Sequence, residues 1–272
     1  MSVERVDGLD DPRLADYRLT THPDLLRRAG IFVAEGRLVV STLIARSMCR
    51  ARSILLTDAA LTALGHIAEA ASPDLPVYVA TPGTIERLAG FNVHRGCLAI
   101  GERPAAVSAH TWLANHPDTR RLVVLEQIAN MDNMGGIFRN AAGFGIDAVV
   151  LGPHCCDPLY RKSIRVSMGT ALWVPHAQAD DWPGALREIR DRGFTVVALT
   201  PSPDAIDIGH FADTLHPDAK VAVLVGSEAE GLSIEALSAA GAAVRIPMAP
   251  GIDSLNAATA TGIALHRLTA LG

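Results

Sequence analysis

The chain has 272 residues, 49% of them hydrophobic and 19% charged, with a formal net charge of −5. That balance excludes a disordered polyelectrolyte and a protein that coats nucleic acid by bulk positive charge, and the length favours two domains. No apolar run is long enough to span a membrane, and Met1 to Asp16 lacks the apolar core of a secretory signal.

Residues 1 to 28 are polar without a sustained period, apart from a short helix expected near Pro23 to Arg28. From Phe32 the pattern becomes regular. Phe32-Val33-Ala34-Glu35-Gly36 leads into a helix to about Met48, followed by a strand at Ser53 to Thr57 and a helix at Asp58 to Ala71. A strand at Val77 to Ala80, a short helix at Thr84 to Ala89 and a strand at Gly96 to Gly101 complete an alternating unit. Residues 1 to 103 are read as this first domain. Residues 104 to 120 change composition, with Pro104, Pro117 and one apolar island at Trp112-Leu113, and read as a linker with at most one short helix.

The second domain, 121 to 272, alternates cleanly. Strands are expected at 122–127, 148–152, 172–176, 195–200, 221–226 and 243–247, as continuous apolar runs of the kind buried on both faces of a parallel sheet. Helices fall between and after them, at 134–143, 158–167, 182–192, 233–240 and 254–269. The fold class is α/β with a mostly parallel sheet, so ligand chemistry belongs in the loops beyond the carboxyl ends of the strands.

Four cysteines, Cys49, Cys97, Cys155 and Cys156, show neither a C-x-x-C pair nor a disulfide framework, which fits a reducing cytoplasm; no metal site is expected. Adjacent Cys155 and Cys156 read as small hydrophobes at a strand edge. Basic groups are nearly all arginine, since only Lys162 and Lys220 are lysines. They gather at Arg37, Arg46, Arg50 and Arg52 and again at Arg161, Lys162 and Arg165. Planar bidentate donors suit phosphate.

Three loops stand out. In the first, Asn133 is positioned as an N-cap for a helix whose apolar side carries Ile137, Phe138, Ala141 and Phe144, with Arg139 set among them. Taken alone, Arg139 is a side chain snorkelling to water. The second, Gly226-Ser227-Glu228-Ala229-Glu230-Gly231, is a glycine-bearing strand-to-helix turn whose two glutamates argue against a phosphate cradle. The third, Ile246 to Asn256, is stiffened by Pro247 and Pro250 and ends where Asp253 or Ser254 would cap a small-residue helix.

In this order, N-x-G-x-x-x-R-N-A at Asn133 to Ala141, G-S-E-x-E-G-L at Gly226 to Leu232, and I-P-M followed by S-L-N at Ser254 to Asn256 resemble the SpoU (TrmH-like) family of RNA ribose methyltransferases. Ala34-Glu35-Gly36 and His94-Arg95-Gly96 place the first domain beside that family's ribosomal-protein-like substrate-binding domain. The resemblance implies a SPOUT domain with a trefoil knot, a homodimer, and S-adenosylmethionine held near Leu199, Thr200, Gly226, Ile246 and Leu255. It also implies RNA, ribosomal RNA ahead of transfer RNA, as the substrate for 2′-hydroxyl methylation.

Arg139 then becomes the expected catalytic residue, either holding the target phosphate and stabilising the alkoxide or acting transiently as a base. Asn133 would anchor the loop or the ribose, Glu228 would hold Arg139 or Asn133 across the dimer, and Ser254 and Asn256 would contact RNA or fix the cofactor loop. Arg46, Arg50, Arg52 and Arg95 are the expected RNA contacts of the first domain, with Arg161 and Arg165 beside the active site. Many relatives carry Asp-Pro ahead of the first motif, where this chain has Asn130-Met131. Two rival readings are a non-catalytic RNA-binding protein on the same scaffold and a nicotinamide-dependent dehydrogenase; the latter lacks its G-x-G-x-x-G after an early strand.

Overall fold

The computed structural model describes residues 3–70, 73–93 and 96–269. They divide into two compact units, Met1–Ala105 with Leu159–Trp173, and Ala106–Pro158 with Val174–Gly272. The first unit therefore takes a segment from the middle of the stretch read as the second domain.

In the first unit the elements run β1 (Val3–Arg5), α1 (Pro23–Arg28), β2 (Ile31–Glu35), α2 (Arg37–Ala45), β3 (Ala51–Leu56), α3 (Asp58–Ala70), β4 (Val77–Val79), α4 (Pro82–Ala89) and β5 (Cys97–Glu102). The sheet order is β1-β4-β3-β5-β2, with β5 antiparallel to both β3 and β2. β1 extends the sheet edge by pairing with β4, which the polar sequence of residues 3 to 5 did not announce. Two apolar clusters fill the unit. Phe32, Val40, Leu56 and Ala99 belong to one, and Tyr17, Val33, Leu55 and Ile100 to the other, so alternate residues of each strand serve opposite faces.

The inserted segment carries α7 (Arg161–Val166) and a 3-10 turn at Thr170–Leu172. Leu159, Ile164 and Leu172 join the first of those clusters. The Glu35 side chain is 1% exposed and receives ion pairs from Arg161 and, at 3.6 Å, from Arg165. A buried carboxylate needs such partners, and they tie α7 to β2. The strand expected at 172–176 is accordingly wrong over 172–175. Leu172 is buried by this packing and not by a sheet, and the strand starts only at His176.

The second unit contains α5 (Ala109–Asn115), β6 (Arg121–Leu125), α6 (Met131–Gly143), β7 (Ala148–Leu151), β8 (His176–Gln178), α8 (Gly184–Asp191), β9 (Phe194–Leu199), β10 (Ile206–Asp207), α9 (Ile208–Ala212), β11 (Lys220–Val225), α10 (Ile234–Ala239), β12 (Ala242–Arg245) and α11 (Ala257–Leu268). Helix α5 lies in the stretch read as a linker, and its Ala109, Trp112 and Leu113 belong to this unit's core. The sheet order is β10-β12-β9-β11-β6-β7-β8, and these strands pair parallel throughout. Val123 aligns with Val149 on one side and Val223 on the other, and Val223 with Val197; all four are 0% exposed. Two-sided burial is why these strands read as unbroken apolar runs.

Helices α6 and α11 pack face to face through small residues. A Cβ added to Gly136 would stand 2.7 Å from the Ala258 Cβ, and the Asn140 Nδ2 donates to the Ala258 carbonyl at 2.7 Å. Gly136→Ala is expected to force these helices apart and lower stability by about 1–3 kcal/mol, read as a depressed thermal midpoint; an unchanged midpoint would refute the close approach.

Candidate active site

β9, β11 and β12 lie in the same sheet, and the loops beyond their carboxyl ends surround a cavity of about 500 Å³. Leu199, Thr200, Gly226, Ile246 and Leu255, the residues expected around a cofactor, all line it, as do Glu228 and Ser254. The volume lies within the range of small-molecule sites, as does the mixture of apolar walls with a few polar groups.

Gly226 shapes one wall. A Cβ there would lie 2.4 Å from the carbonyl carbon and oxygen of Gly231, so only glycine allows the 226–231 loop to close upon itself. The Gly231 N–H donates to the Ser227 carbonyl at 3.1 Å and completes the turn. The end of this loop is fixed from β6. Glu126 follows the last apolar residue of that strand, is 1% exposed, and accepts from the Ser233 N–H at 2.9 Å, the Ser233 hydroxyl at 2.7 Å and the Trp182 Nε1 at 2.8 Å. The sequence reading placed no role on Glu126. Its signal was a carboxylate ending a run, Leu122 to Leu125, that had to be buried.

Glu228 then draws the three sequence motifs together. Its Oε1 accepts from the Asn133 Nδ2 at 3.0 Å, the Asn256 Nδ2 at 2.6 Å and the Ala257 N–H at 2.9 Å. Asn256 Nδ2 donates also to the Asn133 Oδ1 at 2.6 Å, closing a triangle of side chains. A carboxylate accepting the first amide of α11 also complements the positive end of that helix.

The caps differ from those expected. Asn130, not Asn133, caps α6 by accepting from the Asp132 and Asn133 N–H groups at 2.7 and 3.3 Å. This frees the Asn133 side chain for Glu228. Asn256, not Asp253 or Ser254, caps α11 through the Ala258 and Thr259 N–H groups. Asn130 thus supplies an ordered helix start.

Arg139 is elsewhere. It is exposed, does not line the cavity, and makes no side-chain hydrogen bond or ion pair among the described residues. Six residues on from Asn133, it is turned by about 240° and advanced by ~9 Å along α6, so the two side chains leave the helix in different directions. Within one chain Glu228 therefore holds Asn133 and not Arg139.

The arginines expected to bind RNA fall into distinct settings. Arg161 and Arg165, expected beside the active site, both pair with Glu35 within the first unit. Arg50 faces Glu102 at 3.9 Å and Arg52 faces Asp16 at 3.3 Å, both on the surface. Arg46 stacks on Trp173 with its guanidinium carbon 3.7 Å from the ring centroid. Arg95 lies outside the described residues. Burial pushes the Cys155 thiol up to about 11, and Cys155 and Cys156 are absent from the cavity lining.

Replacing Glu228 by Ala removes an acceptor shared by three donors and is expected to cost about 1–3 kcal/mol and loosen the 226–257 loops. Glu228→Gln, which can keep the accepting oxygen, should lose less. Chemical denaturation with hydrogen exchange at Ala257 checks both, and equal stability of all three proteins would contradict the bridging role.

Residues 120–266, more than half of the chain, match the SpoU rRNA Methylase family. A curated relative from Mycobacterium bovis, described as an uncharacterized tRNA/rRNA methyltransferase, is 39% identical over 276 residues, covering 100% of this chain and 93% of its own. Among solved structures, an AdoMet-bound rRNA methyltransferase from Sinorhizobium meliloti superimposes with a TM-score of 0.81 at 25% identity, covering 98% of this chain and 97% of the other. The SpoU methyltransferase AviRb from Streptomyces viridochromogenes, in complex with AdoMet, shares the fold with a TM-score of 0.75 at 20% identity over 95% of this chain and 98% of its own. With its three motifs joined at Glu228 and its sequence matched from residue 120 to 266, the chain belongs to the SpoU rRNA methylase family.

Proposed function

We propose that the protein transfers a methyl group from S-adenosylmethionine to a ribose 2′-hydroxyl of a structured RNA, with ribosomal RNA as the first substrate to test. The observation that carries this reading is the cavity at the ends of β9, β11 and β12, whose lining includes Glu228, the carboxylate to which Asn133 and Asn256 are bound. The Sinorhizobium relative, described as an AdoMet-bound rRNA methyltransferase, supports both the donor and the RNA class.

Leu199, Ile246 and Leu255 offer apolar walls to an adenosyl group, while Gly226 lets backbone come close to it. When bound, S-adenosylmethionine supplies an electrophilic methyl carbon on a sulfonium with a good leaving group. What remains for the chain is to orient the acceptor hydroxyl, exclude water and help its proton leave. The lining offers carboxylates and a hydroxyl, Glu228, Glu230, Asp253 and Ser254, which suits attack by an alcohol oxygen.

Arg139 holds the target phosphate and stabilises the developing alkoxide. A guanidinium stays protonated in proteins, and this one is exposed, which favours the anchoring role over that of a base. In this reading Arg139, which does not line the cavity of its own chain, serves the cavity of a second copy in a homodimer. Exposed Ile234 and Ile252, 78% and 54% accessible, are consistent with such a partner. Asn133, Glu228, Ser254 and Asn256 set the loop on which the two substrates meet.

Labelled methyl transfer to purified RNA fractions, followed by mapping of the modified ribose, tests the reading directly. Modification on a base, or none on any RNA, would overturn it. Arg139→Ala should reduce transfer about 10²–10³-fold while leaving calorimetric binding of S-adenosylmethionine intact; full activity in this variant would remove Arg139 from the mechanism. Gly226→Ala should abolish cofactor binding itself, because its Cβ would collide with the Gly231 backbone.

A further inference from the structure

Arg46 is the C-cap of α2, and its N–H donates to the Thr42 carbonyl. The two residues after it are fastened to the inserted segment. Ser47 Oγ and the Met48 N–H both donate to the Leu172 carbonyl, at 3.1 and 3.0 Å. Leu172 is fully buried, so the position of Trp173 relative to Arg46 is set by a fixed backbone and not by a mobile surface loop. The guanidinium carbon of Arg46 lies 3.7 Å from the centre of the half-buried Trp173 ring, while Arg46 itself is exposed.

The charge on Arg46 is not cancelled. Arg50 and Arg52 each face a carboxylate, whereas no acidic side chain pairs with Arg46 among the described residues. Two apolar side chains from the same segments also stand in solvent, Met48 at 50% and Met168 at 44% exposure. An unpaired planar cation backed by an aromatic ring suits a flat, negatively charged ligand better than a free phosphate. The phosphate would use only the charge, whereas a nucleobase uses the plane as well.

We propose that the outer face of the Arg46 guanidinium, supported by Trp173, is a stacking platform for one unpaired nucleobase of the RNA substrate. This rests on the reading of the protein as an RNA methyltransferase and adds to it a place where a single-stranded nucleotide is recognised. The arginine supplies charge to the neighbouring phosphate and a flat surface to the base, so the site selects loops and bulges over uninterrupted duplex.

The test uses the full-length protein and a short RNA hairpin carrying 2-aminopurine in its unpaired loop. Anisotropy reports binding and 2-aminopurine fluorescence reports stacking. Wild type is expected to bind and to quench. Arg46→Ala should bind about tenfold more weakly and lose the quenching. Arg46→Lys keeps the charge and loses the plane, so its salt dependence should match wild type while its quenching disappears. Trp173→Leu, with folding checked by circular dichroism, should behave as Arg46→Ala.

Wild-type binding without quenching, or quenching that survives in Arg46→Ala and Arg46→Lys, overturns the platform and leaves the methyltransferase reading untouched. Loss of self-association in Arg46→Ala with unchanged RNA affinity assigns the face to a second copy of the chain and likewise overturns it. Failure of wild type to bind the hairpin also removes the platform, and methyl transfer to RNA fractions then decides the broader reading by itself.

Discussion

One carboxylate oxygen organises the cavity end of the second unit. The Glu228 Oε1 accepts from a side chain on α6, a side chain at the start of α11 and a backbone amide of α11. Those donors are more than a hundred residues apart in the chain at their extremes, Asn133 to Ala257. A hydrogen bond to a charged acceptor is roughly twice as strong as a neutral one, and three of them on one atom make the loop geometry of each motif depend on the other two. The cavity behind inherits its shape from that dependence, because Glu228 and Ala257 are both part of its lining.

The second constraint is steric and lies underneath. The α6–α11 contact admits no Cβ at Gly136, and the 226–231 turn admits none at Gly226. Close approach at these two points brings α11 near enough to α6 for Asn256 to reach Asn133, and lets the turn carry Glu228 to the same place. Glu126 holds the far side of that turn through Ser233. Glycine and carboxylate therefore act in sequence, the first permitting the approach and the second fastening it.

The arginines illustrate how little a charge run says about use. Arg161 and Arg165 neutralise a carboxylate whose side chain is 1% exposed, and α7 is held to the first unit by that pairing. Arg50 and Arg52 are in solvent-screened pairs that contribute little to stability. Arg46 and Arg139 are exposed without a carboxylate partner among the described residues. A protein of net charge −5 that recognises RNA must do so locally, and unpaired arginines are where its positive potential remains available.

Strand order aside, the parallel sheet was legible in the chain because strands buried on both faces have to be written as continuous apolar runs. The three motif loops were legible through their order and spacing along the chain, since glycine, proline and a carboxylate in any one of them would suit an ordinary turn. The five residues expected around a cofactor do meet at one cavity, since loops at the ends of parallel strands have nowhere else to converge. Which asparagine caps a helix and which one bridges to Glu228 was not legible: Asn130 and Asn133 have the same side chain, and only the path of the chain separates them. Burial misled at Leu172, which packs in the first unit's core and looks in sequence like the start of a strand. The different directions of Asn133 and Arg139 follow from their six-residue spacing once the helix is given, but which of the two faces Glu228, and the stacking of Arg46 on Trp173, required three dimensions, because long-range contacts leave no trace in local spacing.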